Sequence, residues 1–175
     1  MSGARIAAGS GAPNIATGVP VLDHLLAELA RAGSFELTLE IDPDDAEAEV
    51  DAAGTALGRA LSPLLAPGAH GEATLPYDEA LATVVLERSG RPLVAANVDL
   101  TGVAGMSSDL AARFLHTLAE TAGLTLHVRL IEGDDTDHVL TAIFKALGLA
   151  LSRAALSYPA TSESAGADSD GGQNP

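Results

Sequence analysis

The strongest constraint on this chain is that it repeats itself. Displaced by 90 residues, ALGRALS (56–62) falls on ALGLALS (146–152), differing only at Arg59 against Leu149. The same register lays Ala32-Gly33 on Ala122-Gly123, Ile41 on Ile131, Leu25 on Leu115, Ala52 on Ala142, and Asp44-Asp45 on Asp134-Asp135. One gapless offset that explains so many identities marks an internal duplication.

Each copy reads as helix, strand, turn, helix. In VPVLDHLLAELARAG (19–33), Leu22, Leu25, Leu26 and Leu29 recur at helical spacing, and Gly33 stands where a C-terminal cap belongs. FELTLEI (35–41) alternates as a strand with one buried face, PDD (43–45) marks a turn, and helical periodicity returns from about Val50 to Leu64. The second copy is SSDLAARFLHTLAETAG (107–123), LTLHVRLI (124–131), GDDTD (133–137) and HVLTAIFKALGLALSRAAL (138–156), with Ser108 and Asp109 as candidate N-caps of its first helix. Between the copies, ATVVLE and PLVAANV read as a hairpin turning at Ser89-Gly90.

The expected architecture is an α+β, internally duplicated two-half domain, with helices packed on one face of each sheet. Residues 1–13 are expected to form a flexible N-terminus, 14–66 the first half, and 67–106 the connecting strands and hairpin. The second half is expected over 107–156, and a disordered acidic tail over 157–175.

Composition narrows the function classes. Nine basic against 24 acidic residues give a formal charge of −15, a surface that repels nucleic acid and anionic membranes. The chain has no cysteine, which excludes disulfides and thiolate metal sites. No run of about 18 uninterrupted apolar residues suggests a membrane span, and MSGARIAAGSGAP does not resemble a secretory signal. A cytoplasmic protein without nucleic-acid or membrane partners is expected.

Three stretches, TGVPVLDHLLAELARAG, LPYDEALATVVLERSGRPLV and AGLTLHVRLIEGDDTDHVLTAIFKALGLAL, resemble the imidazoleglycerol-phosphate dehydratase family of histidine biosynthesis over roughly residues 14–156. The resemblance implies a duplicated fold with ribosomal S5 domain 2-like halves, trimers that assemble into a larger shell, and two Mn²⁺ ions at subunit interfaces. Those metals hold the substrate imidazole and help to remove water from its glycerol phosphate arm. It further implies one histidine on the first helix of each half, and a His-His-x-x-Glu cluster at the start of the second. Adjacent imidazoles then face two metals, and the glutamate returns to the same face one turn later.

At those positions this sequence has His24 in the first helix, and Glu47, Ala48 and Asp51 in the first cluster. In the second half it has Arg113, then Asp137, His138 and Thr141. Only His24 and His138 keep the family's imidazole. The N-terminal strand with its Arg and Glu has no counterpart, and neither does the C-terminal Ser/Lys loop. For the phosphate, Arg91 in SGRP and Lys145 in IFKA match, Lys145 being the chain's only lysine. The second arginine falls near Ala69, and a glutamine falls on Glu28.

The expected function is therefore that of a divergent dehydratase-like protein without metal-dependent dehydratase activity, repurposed to bind or scaffold. One alternative is an active hydro-lyase with a rearranged site, using Mn²⁺. Another is a metal-free enzyme on another small anionic substrate, with His24, His138, Glu47, Asp51 and Asp137 as acid/base groups. His116, His127 and the pairs Asp78-Glu79 and Asp134-Asp135 read as structural or turn residues. Without metals to join trimers into a shell, the chain is expected to stop at a homotrimer or another small homo-oligomer.

Overall fold

The computed structural model describes residues 1–99 and 110–157. Two strands, β1 (Gly3–Ala8) and β2 (Asn14–Ala16), precede the first copy, which is α1 (Pro20–Gly33), β3 (Phe35–Glu40) and α2 (Ala46–Leu61). Strands β4 (His70–Tyr77), β5 (Ala80–Glu87) and β6 (Leu93–Ala96) connect it to the second copy: α3 (Leu110–Ala122), β7 (Thr125–Glu132) and α4 (Thr136–Ser157). Phe35 and Thr125, and Ala46 and Thr136, stand 90 residues apart, so the strand and the second helix of the repeat begin in register.

The paired aspartates explain part of that register. Asp45 Oδ1 accepts from Ala48 N at 2.9 Å, and Asp135 Oδ1 accepts from His138 N at 3.1 Å. Each satisfies an N–H that the first helical turn leaves without a partner. These residues cap helices as well as turning the chain, and so α2 begins at Ala46 rather than near Val50. The cap expected at Ser108 or Asp109 lies outside the described residues, as does the tail from 158 onward.

Sheet order is β1-β3-β2 in the first half and β4-β5-β7-β6 in the second. Helices α1 and α2 cover the first sheet, and α3 and α4 the second. The helix layers then meet crosswise: α1 packs on α4, and α2 on α3. Each half's first helix thus crosses the other half's second helix, and one core runs through both halves.

The glycine shared by the two ALGxALS copies sits at these crossings. A Cβ on Gly148 would lie 2.0 Å from the Leu29 carbonyl oxygen, and one on Gly58 would lie 2.7 Å from Thr121 Cβ. Gly33 also serves close approach, since its Cβ would meet Gly148 O at 2.5 Å. The left-handed residue that ends α1 is Ser34 (φ 53°) instead.

Two expectations are corrected. β5 and β6 do not form a hairpin: β7 lies between them, antiparallel to β5 and parallel to β6. Alternation identified the strands but carried no information on partners. The tight hairpin joins β4 to β5, with Tyr77 opposite Ala80 and Asp78 (φ 50°) in the turn. The N-terminal stretch also forms a strand, paired in register from Gly3–Glu40 to Ala8–Phe35. Its alternation tucks Ala4 and Ile6 against the core and leaves Arg5 outside.

By length and composition alone, α4 could cross a membrane, but 67% of that window is buried inside the protein. It is the central helix of the core.

Candidate functional site at two helix crossings

The crosswise packing divides the candidate residues into two groups. Where α1 meets α4, a cavity of about 410 Å³ is lined by His24 and Leu25 of α1, Asp137, His138 and Thr141 of α4, and Tyr77 at the end of β4. Where α2 meets α3, Glu47 and Asp51 face Arg113. His24, Asp137 and His138 are thus brought together, and Glu47 and Asp51 belong to the other crossing.

The α2–α3 crossing is an ion-pair network. Arg113 Nε and Nη2 donate to the two oxygens of Asp51, both at 2.7 Å, and Nη1 donates to Glu47 Oε2 at 3.3 Å. Thr117 Oγ1 adds a fourth donor, to Asp51 Oδ1 at 3.2 Å. The Arg113 hydrogen bonds, aided by its charge, hold the Asp51 carboxyl below the usual range, and Asp51 raises the guanidinium in return. A bidentate fork of this kind orients both side chains.

This network has a pH signature. A depressed carboxylate stabilises the fold above its unfolded pKa of about 3.9, and that contribution is lost as pH falls through the lower folded value. Arg113→Ala is therefore expected to lose stability at neutral pH, with the gap to wild type closing below about pH 4. Urea midpoints measured from pH 3 to pH 7 check this, and a gap of constant size would contradict it.

At the α1–α4 crossing, His138 Nδ1 lies 2.6 Å from Glu79 Oε2, an exposed partner on the β4–β5 turn. The Glu79 hydrogen bond raises the His138 pKa, with Asp135, Glu79 and Asp78 adding charge, and His138 lowers that of Glu79. Asp135 N also donates to Glu79 Oε1, so the hairpin is tied to the start of α4 at two points. Tyr77 meets the imidazole edge-on at 5.4 Å. Thr141 turns its hydroxyl back to Asp137 O at 2.8 Å. Sequence reasoning treated Asp78-Glu79 as a turn and missed its partnership with a residue 59 positions away.

The two residues matched to phosphate are not neighbours within one chain. Lys145 Nζ donates to Pro76 O at 3.0 Å and lies 5.7 Å from the Tyr77 ring centroid. Pro76 pairs with Leu81, at one end of β5. Arg91 O accepts from Thr125 Oγ1, and Thr125 pairs with Glu87 at the other end. Six residues of strand at about 3.3 Å each put roughly 20 Å between the two anchor points.

An internally duplicated α+β domain with paired interhelical crossings defines the class, and comparison with known proteins gives the family. Residues 17–151 match the imidazoleglycerol-phosphate dehydratase family. An imidazoleglycerol-phosphate dehydratase from Pelobacter propionicus is 39% identical over 155 residues, covering 83% of this chain and 80% of its own. One from Acetivibrio thermocellus is 38% identical, covering 82% and 78%. The crystal structure of the Staphylococcus aureus dehydratase superposes with a TM-score of 0.75 at 31% identity, covering 85% of this chain and 90% of that one. The chain belongs to the imidazoleglycerol-phosphate dehydratase family.

The two Mn²⁺ ions implied by the resemblance do not fit the residues present. At the α2–α3 crossing a guanidinium already pairs with both carboxylates, and Ala48 supplies no donor. At the other, Thr141 replaces a carboxylate, and the His138 Nδ1 is committed to Glu79. Asp78, Glu79 and His138 do bring ligand atoms within 4.8 Å of one another, a single mixed group among the described residues.

Proposed function

We propose that the chain binds an imidazole-bearing small ligand of its family's class in the α1–α4 cavity and does not carry out two-metal dehydration. The observation that supports this reading is the Arg113 fork on Asp51 and Glu47, which places a fixed cation where a dication would need free carboxylates. In the cavity, His24, Asp137 and His138 offer hydrogen-bonding groups around an apolar wall. Lys145 and Arg91 could share one anion only across a subunit boundary, since one chain holds them far apart.

A second reading, an active imidazoleglycerol-phosphate dehydratase with a rearranged site, is favoured by the names of the relatives and by the Asp78–Glu79–His138 group. One assay separates the two. Protein supplied with Mn²⁺ is given imidazoleglycerol phosphate, and both product and bound metal are measured. The first reading expects less than about 0.1 metal per chain and turnover reduced at least about 10⁴-fold relative to an intact relative, roughly 5.5 kcal/mol of lost transition-state stabilisation. Stoichiometric metal with turnover establishes the second.

The same replacements support a homotrimer or other small homo-oligomer, since most of the residues matched to metal ligands between trimers are replaced. Light scattering in chelator is expected to give such a mass; a closed shell under those conditions would overturn this part of the reading.

A further inference from the structure

We infer that the open edge of β1, with the alanine face of α2 beside it, takes an extended segment of a partner protein as an added antiparallel strand. The duplication itself defines the place, which is independent of the α1–α4 cavity. β1 runs antiparallel to β3 and β2 parallel to it, as β5 and β6 do to β7. The second sheet carries a fourth strand, β4, antiparallel to β5, whereas among the described residues no strand lies on the outer side of β1. Side-chain burial records the difference. Ala142, Ala146 and Ala150 form an i, i+4 row on α4 and are wholly buried. Ala52, Ala56 and Ala60 form the same row on α2, 90 residues earlier, and are only half-buried. Likewise Val84 and Leu86 of β5 are at most 1% exposed, while Ala4 and Ile6 of β1 are half-buried.

The groove between β1 and α2 has a volume of about 500 Å³ and is lined by Gly3, Ala4, Ala52, Ala56, Arg59 and Ala60. In the second half β4 shows what such a place accepts. Gly71 and Ala73 are its buried residues, and Glu72 and Thr74 between them are exposed. A Cβ on Gly71 would lie 2.1 Å from Ala150 O, so the strand comes close enough to the helix to require a glycine there. The segment that fits beside β1 therefore has small residues facing α2. An acidic residue at an outward position would meet Arg5, the exposed cation of β1, which stands between the added strand and Glu36 and Glu40 of β3. Main-chain hydrogen bonds to the free N–H and C=O groups of the edge supply the affinity, and the shallow groove supplies the selection for small side chains.

The test titrates the chain into a labelled peptide of the β4 sequence, HGEATLPY, read by fluorescence anisotropy. Saturable binding is expected, with hydrogen exchange slowed over Gly3–Ala8 and along α2. Methylating the peptide's pairing amides should weaken binding about tenfold or more. Ala56→Arg, which fills the groove from a half-buried position, should do the same. Arg5→Glu should weaken binding about fivefold, and Glu72→Lys in the peptide should restore it. Because Arg5→Glu changes only an exposed side chain, it decides the matter if Ala56→Arg unfolds. Three results overturn the inference: no saturable binding to folded protein, equal binding of a scrambled peptide, or exchange slowed along β5 and α4 instead. Concentration-dependent pairing of two copies through β1 would assign the edge to a second copy and overturn it as well.

Discussion

Gly148→Ala is expected to lower stability by about 3 kcal/mol or more, despite replacing glycine with the best helix former. Inside a helix, alanine in place of glycine ordinarily gains about 1 kcal/mol. Here the new methyl would stand 2.0 Å from Leu29 O, 2.7 Å from Leu29 C and 2.9 Å from Leu29 Cα. All three are backbone atoms, so no rotamer change relieves the clash, and α1 must move away from α4. That shift would open contacts among residues that are almost fully buried, such as Leu25, Leu29 and Phe144. Gly58→Ala meets the Thr121 side chain at the equivalent crossing and should cost less. Gly3→Ala meets nothing within 4 Å and should stay within about 0.5 kcal/mol of wild type. Urea denaturation of the three variants gives the ranking, and a neutral Gly148→Ala would mean that the crossing is not tight.

Phe114→Ala is expected to cost about 3–5 kcal/mol. The ring is wholly buried on α3 and stacks on Phe144 of α4, with centroids 5.7 Å apart and planes at 29°. Phe144 is itself fully buried on α4, where its own packing keeps it from swinging in to refill the space. The surroundings are leucines and alanines held by two helices, so the void collapses only in part. A loss below about 1.5 kcal/mol, read from the same denaturation midpoints, would show that the core rearranges freely.

Much of the fold was legible because the repeat is local in each copy. A helix, a strand and a capped helix are set by short-range patterns, and all three recur at one offset. What crosses what was not legible. The β5–β6 hairpin was misassigned because alternation marks a strand without naming its partner, and β7, which begins 35 residues after Gly90, arrives only through tertiary packing. The strand β1 was missed because glycine and alanine dilute its pattern to Ala4, Arg5 and Ile6.

The site followed the same division. That Glu47, Asp51 and Arg113 occupy corresponding positions came from the resemblance, but the bidentate fork between them needed the α2–α3 crossing. That His24 and His138 share a cavity needed the α1–α4 crossing. Glu79 carried no signal, since two acids in a turn read as solvated until the hairpin is seen beside the start of α4.

The exchange of helices between the halves has a consequence for how such a chain could arise and be divided. Each half presents its first helix to a partner it does not contain, so a single copy would satisfy itself only by pairing with a twin. The duplicated chain is a fused homodimer in this sense. Its two parts, made as separate polypeptides, should recombine into the native arrangement more readily than either holds a structure by itself.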